Sequence, residues 1–341
     1  MKINTLLATA AVLLSVISLD SCKKEEEQES KPYLEGRLQF SASKYIAPET
    51  ELEFEATGAI HPENKGIGYS WKVTPGMEKA DTVKTEDQDD KTTKWSYKFG
   101  KELRQHTVTV QAYANGYYSI SASRYVTTVK GGLDGSITDT GIKSTDETFT
   151  DSRDGKVYYV ATIGSTKWMR NNLCWEGAGM PFDNEDAMND VLGRYYSWNE
   201  AQNACPEGWT LPAEADVKAM AEAFGGKPGE GAYSDIDEIA GALMADAKFN
   251  GNKMWEFWPE NKITNTSGLA FIPAGFANIQ DGTVSELLHY ATFWTSDKVS
   301  KVDGDYGICR YIVNVDKGDR KLRALDADLT TFGANVRCIK K

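Results

Sequence analysis

The chain has 341 residues, a net charge of −12, and Phe, Trp and Tyr at 11% of positions. An acidic surface with no basic stripe repels phosphate backbones, so nucleic acid is not expected as a partner. The length suits about two domains, and no later segment reads as membrane-spanning, which takes about 20 apolar residues.

Residues 1–21 read as an export signal. Lys2 supplies the positive start, and Leu6 to Ile17 form an apolar run too short to cross a bilayer comfortably. Leu19-Asp20-Ser21-Cys22 follows and resembles the lipobox of bacterial lipoproteins. That resemblance makes Cys22 the first mature residue, acylated at sulfur and amine, and several acyl chains hold a protein on a membrane far more firmly than one. Residues 22–34 begin with the charged run Lys23 to Glu29, which has too little apolar surface to offset chain entropy and reads as a disordered tether. The run resembles the acidic segment that directs some Bacteroidota-type lipoproteins to the outer face of the outer membrane. The implied location is therefore the outer membrane, lipid-anchored and facing the cell exterior.

Residues 35–130 alternate apolar and polar side chains in short runs. Leu38, Phe40 and Ala42 share a face, as do Leu52, Phe54 and Ala56, then Tyr69, Trp71 and Val73, then Val108, Val110 and Ala112. Turn-rich pieces separate the runs, and no helical period competes, so the expected fold is an all-β sandwich. Gly68 to Val73 and His106 to Ala112 resemble the Y-x-W and T-V-T-V strands of PKD and related immunoglobulin-like modules. The glycine- and aspartate-rich turn of those modules is missing; a longer polar loop, Asp81 to Lys94, takes its place. Such modules act mostly as spacers. Residues 131–146, rich in Gly, Ser, Thr and Asp, read as an interdomain linker.

In residues 147–341, Asp-Gly in Asp151-Ser152-Arg153-Asp154-Gly155 signals a hairpin turn. Ser197 to Ala204 reads as a short helix stopped by Pro206 and Gly208. Pro212 precedes a second, where Val217, Met220, Ala221 and Phe224 recur at helical spacing and Gly225-Gly226 ends the run. Ser234 with Asp237 offers a capping box for a third, with Ile236, Ile239, Ala240 and Leu243 on its apolar face. Once Cys22 carries lipid, Cys174, Cys205, Cys309 and Cys338 remain. An even number in an exported chain suggests two disulfides, with three connectivities open. Neither a C-x-x-C spacing nor enough histidine is present for zinc.

The motifs of this second part follow a known order. Phe149 to Tyr158 (F-T-D-S-R-D-G-K-V-Y), Ile163 to Leu173 (I-G-S-T-K-W-M-R-N-N-L), Gly193 to Trp198 (G-R-Y-Y-S-W), Cys205 to Pro212 (C-P-E-G-W-T-L-P), Phe293 to Ser296 (F-W-T-S) and Val336 to Ile339 (V-R-C-I) resemble the Fibrobacter succinogenes major paralogous domain family across nearly the whole domain. The family's molecular activity is largely undefined. The resemblance implies an α+β fold near the C-type-lectin-like and formylglycine-generating-enzyme group. It also implies a Cys205–Cys338 bridge, and Cys174–Cys309 then follows mainly by elimination.

Trp168, Trp198, Trp209 and Trp294 lie within these motifs and are expected to build core. The candidate ligand site is the polar stretch Asn250 to Asn261. There Trp258 or Trp255 would stack on a sugar face while Glu256, Glu260 or Asn261 bonds its hydroxyls; the competing reading is core, evenly balanced for Trp258 and favoured for Trp255, which would plug the core beneath the loop. No cofactor is expected. Calcium is the minor alternative, because Pro259-Glu260-Asn261 reverses a lectin-type tripeptide and Asn314-Val315-Asp316 is an interrupted ligand strand. No protease, esterase or phosphate-loop motif occurs, so an enzyme is not expected. The expected function is a surface-exposed, non-catalytic binding module for glycan or protein ligands on a β-sandwich stalk. The alternative is a structural cell-envelope or surface-assembly component. A formylglycine-generating-type enzyme, needing Cys309 and Cys338 as a redox pair, ranks third.

Overall fold

The computed structural model describes residues 30–83, 93–230, 233–255, 261–313 and 320–341. The signal segment and Cys22 lie outside them. Among the described residues strands dominate both halves, and the longest helix has nine residues.

The first half is built on a five-stranded sheet in the order Tyr45–Ile46, Ile120–Thr128, Gln105–Tyr113, Gly68–Thr74, Asp81–Val83. Its first pair is parallel and the others antiparallel. Alternation does the work here: Tyr69, Trp71 and Val73 turn inward from one strand and Val108, Val110 and Ala112 from its neighbour. A ribbon of Glu51–Glu55 paired with Lys94–Lys98 covers that face. Phe54 and Trp95 place their ring centroids 5.7 and 5.4 Å from Trp71. The folded chain begins ahead of Glu35: Tyr33 bridges Tyr118, and Leu34 is 3% exposed in the same core. The end of the expected tether is thus part of the fold.

Residues 131–146 are not a free linker. Ile137–Thr138 pairs with Lys248–Phe249, Ser136 is 1% exposed, and Asn250 N donates to the Ser136 carbonyl. A Cβ on Gly131 would sit 2.3 Å from the Asp190 carbonyl oxygen. This glycine serves close backbone approach, which its lack of a side chain permits as readily as it permits flexibility. The halves also touch directly. Lys44 pairs with Asp183 at 2.8 Å, and the Tyr45 and Phe182 rings meet edge to face at 5.7 Å.

In the second half, a four-stranded sheet runs Thr148–Thr150, Val157–Ile163, Thr166–Met169, Ile339–Lys340. Its last pairing sets Trp168 against Ile339. A second sheet joins Tyr290–Lys301, Gly304–Val313 and Arg323–Asp328. The expected hairpin turn is present: Gly155, at φ +76°, donates its N–H to the Asp151 carbonyl. The Asp151 carboxylate is wholly buried and takes hydrogen bonds from Arg153 N and its guanidinium. Ser197 caps the helix Trp198–Ala201 with a reciprocal Glu200 bond. The helix Glu214–Glu222 buries Val217, Met220 and Ala221 as the spacing predicts.

The third helix is shorter than expected. Ser234 takes a positive φ, Ile236–Asp237 is a strand against Lys227–Pro228, and only Ala240–Leu243 is helical. Ile236 exchanges both backbone hydrogen bonds with Leu322, which removes the groups a helix start would use. The cysteines split the same way. Cys205 and Cys338 are bridged, with Cα atoms 5.8 Å apart. Cys174 and Cys309 are separate, buried free thiols, so the second pairing is corrected. Cys174 meets the Tyr158 hydroxyl at 3.3 Å, whereas Cys309 lies in the strand facing Trp294.

Candidate functional site

The loop at Asn250 to Asn261 does not present the expected aromatic platform in its described part. Trp255 is 4% exposed and packs in the core with Leu243 and Met244. Asn261 is 5% exposed, and its side-chain amide faces the Met244 sulfur at 3.4 Å. Trp255 thus plugs the core, the reading favoured for it, and Asn261, turned inward too, is corrected from ligand contact to a buried position. Glu256, Trp258 and Glu260 lie outside the described residues. The motif tryptophans Trp168, Trp209 and Trp294 are buried; Trp198 is half-buried and donates to the Thr295 carbonyl at 3.0 Å.

The polar residues of the same motifs gather elsewhere. A cavity of about 670 Å³ opens between the packed segment 130–142 and the sheet containing Val157–Ile163. Its wall includes Lys156, Tyr158, Arg170, Asn172, Gly193 and Arg337. These come from the R-D-G-K-x-Y, W-M-x-x-N-L, G-x-Y-Y and V-R-C stretches, which lie far apart in the chain. The sheet order explains the convergence: Tyr158 and Arg170 stand on or next to adjacent strands, and the closing strand brings Arg337 beside them.

Each polar side chain is held in place. Lys156 bonds Asp190 at 2.7 Å and Glu176 at 2.9 Å. Burial works against its ammonium, but these carboxylates outweigh that and raise its pKa. Arg170 is 7% exposed and ties three partners together: the Asp146 carboxylate and the carbonyls of Gly268 and Gly141. Arg337 is 1% exposed and stacks on Phe271 at 4.2 Å. Its Nε donates to Asn172 Oδ1 at 2.8 Å, and its Nη atoms donate to the carbonyls of Leu269 and Ala270. Asn172 is itself fixed, donating to the Leu192 carbonyl at 2.8 Å. Burial, and then the charge of Arg170, bring the Arg337 pKa down to about 9.

The cavity thus has a floor of ion-paired Lys156 and Arg170 beside Arg337, and a roof of backbone, Thr138, Thr140 and other small residues. Cys174 is the one thiol on its wall, and burial pushes that thiol up to about 11, away from reactive thiolate. Among the described residues no group of three or more His, Cys, Asp or Glu side chains could hold a metal. The arginines were visible in the motifs, but aromatic residues drew the sequence reading to the other loop. The usable signal was a pair of arginines at motif positions in a chain of strong negative charge.

Residues 161–340 match the Fibrobacter succinogenes major domain. No curated protein and no solved structure matches the chain. The match spans more than half of the sequence and covers three of the motif stretches that line the cavity, and by it the chain belongs to the Fibrobacter succinogenes major domain family.

Proposed function

We propose that the protein is a lipid-anchored envelope protein of the outer membrane, facing the exterior, whose C-terminal domain is a non-catalytic binding module for a glycan or protein ligand. The cavity beneath residues 130–142 is its site. One observation carries the reading: polar residues from three separated motifs, with Gly193 from a fourth, converge on one cavity, while three of the four motif tryptophans are spent on core. A volume of about 670 Å³ is in the range of small-ligand sites. The N-terminal half is, on this reading, a PKD- or immunoglobulin-like spacer. The C-terminal fold lies near the C-type-lectin-like group, as the pairing of residues 166–169 with 339–340 supports.

The test uses the full chain extracted in detergent and screened against glycan and peptide arrays, beside a Val157→Trp variant. Val157 lines the cavity and is 53% exposed, so tryptophan there narrows the entrance at little cost to the core. Ligands retained by the parent and lost by the variant are the expected result. The rival reading, a structural envelope component, draws on the packed junction between the halves. It predicts no ligand that Val157→Trp displaces.

A further inference from the structure

One cation of the cavity floor has no counter-charge of its own. Arg170 has a carboxylate partner in Asp146, and Lys156 has Asp190 and Glu176. Arg337 has none among the described residues: its hydrogen-bond acceptors, Asn172 Oδ1 and two backbone carbonyls, are all neutral. Taking a cation out of water without a counter-charge is costly even when its donors are bonded. The two guanidiniums also feel each other, as the lowered Arg337 pKa reflects. In a chain of net charge −12, an uncompensated cation at the base of a cavity is the reverse of the surrounding field.

We propose that this cavity binds a carboxylate-bearing sugar of about one hexuronate unit, with its carboxylate against Arg337. This rests on the binding-module reading above and names its ligand class. A guanidinium is suited to a planar carboxylate, which it can meet through parallel N–H groups. Arg337 has five N–H donors, of which its three acceptors use one each, leaving a donor on each Nη atom. The remaining wall supplies the Asn171 amide, the hydroxyls of Thr138 and Thr140, and the backbone at Gly131 and Gly132 for hydroxyls; its charged members are Lys130 and two carboxylates, Asp190 and Asp139, which are paired with Lys156 and Lys248. Tyr159 lies on the same wall and offers an aromatic surface. The cavity volume accommodates one such ring with its ordered water.

The test is calorimetric titration of the full chain in detergent with D-glucuronate, D-galacturonate, the methyl ester of each, and D-glucose. The acids should bind about tenfold or more tightly than their esters, a difference of about 1.4 kcal/mol or more. The ester comparison needs no variant, so it stands even if a change at Arg337 prevents folding. Val157→Trp should weaken the acids by about tenfold with an unchanged melting temperature. Arg337→Met, checked for folding by circular dichroism, should abolish the preference for acid over ester. Esters or glucose binding as tightly as the acids, in a manner Val157→Trp blocks, would overturn the carboxylate assignment and leave the binding module standing. No binding by either acid would also overturn the assignment. Binding that Val157→Trp leaves untouched would overturn the cavity itself.

Discussion

The Cys205–Cys338 bridge allows a worked estimate of what holds the second half together. The two residues are 133 apart in sequence, and in the chain-entropy relation a loop of that size stabilises the fold by about 5 kcal/mol at 25 °C. A typical domain has a net stability of only about 5–15 kcal/mol, so the bridge decides whether it is robust or marginal. Cys205→Ser is the better perturbation, because Cys338 is fully buried and its sulfur still fills space after the change. With a urea slope of about 2–3 kcal/mol/M, the unfolding midpoint should fall by about 2 M. Urea melts followed by tryptophan fluorescence, with and without reductant, give the readout. Reductant should bring the parent to the variant's midpoint and leave the variant where it was. A shift below about 0.5 M would mean that the reduced, unfolded chain is already compact, and the entropic account would be wrong.

Other expectations follow from separate parts of the molecule. Cys22→Ala should release the protein from membranes; a variant still sedimenting with membranes in high salt would refute the lipid anchor. Asp151→Asn should cost about 1 kcal/mol in thermal or urea unfolding, because the fully buried Asp151 carboxylate loses its charge-assisted bonds from Arg153, which itself stays open to solvent. Burial pushes the Asp151 carboxyl up, but the Arg153 hydrogen bonds overcome this and hold its pKa below the ordinary value. Its stabilisation is therefore full above the ordinary carboxylate range and lost as pH falls through the depressed value. The asparagine variant should lack that part of the acid loss when melts are compared between neutral pH and pH about 3. Limited proteolysis should leave residues 131–146 uncut in the native protein, since their backbone is hydrogen-bonded and partly buried; early cleavage there, read by mass spectrometry, would contradict that packing. Alkylation of native protein should leave Cys174 and Cys309 unlabelled, and denaturation without reductant should expose both thiols.

What the sequence made legible was whatever depends on near neighbours. Alternation located Gly68–Thr74 and Gln105–Tyr113, Asp-Gly located the hairpin at Asp151, and helical spacing located Glu214–Glu222. The bridge at Cys338 came through resemblance to a family rather than through local pattern. What escaped was set by distant contacts. Ser234 and Asp237 have the spacing of a helix cap, but Leu322 claims the backbone of Ile236. Glycine in residues 131–146 has the composition of a flexible tether, yet Gly131 is small because Asp190 lies against it. Pairing Cys174 with Cys309 by elimination took for granted that every remaining thiol has a partner, whereas each is buried in its own surroundings. The cavity was illegible for the same reason: Arg170 and Arg337 are 167 positions apart and meet only through the closing strand.

That closing strand has a consequence for how the domain is made. Trp168 pairs with Ile339 across nearly the whole domain, and Thr210 bonds the same Ile339. Long-range pairings of this kind form late and slowly, because the loop between them must be ordered first. Strand, bridge and cavity floor all wait on Arg337, Cys338 and Ile339. A chain cut even a few residues before Arg337 would lose the sheet edge, the covalent staple and the cavity's buried arginine in a single stroke.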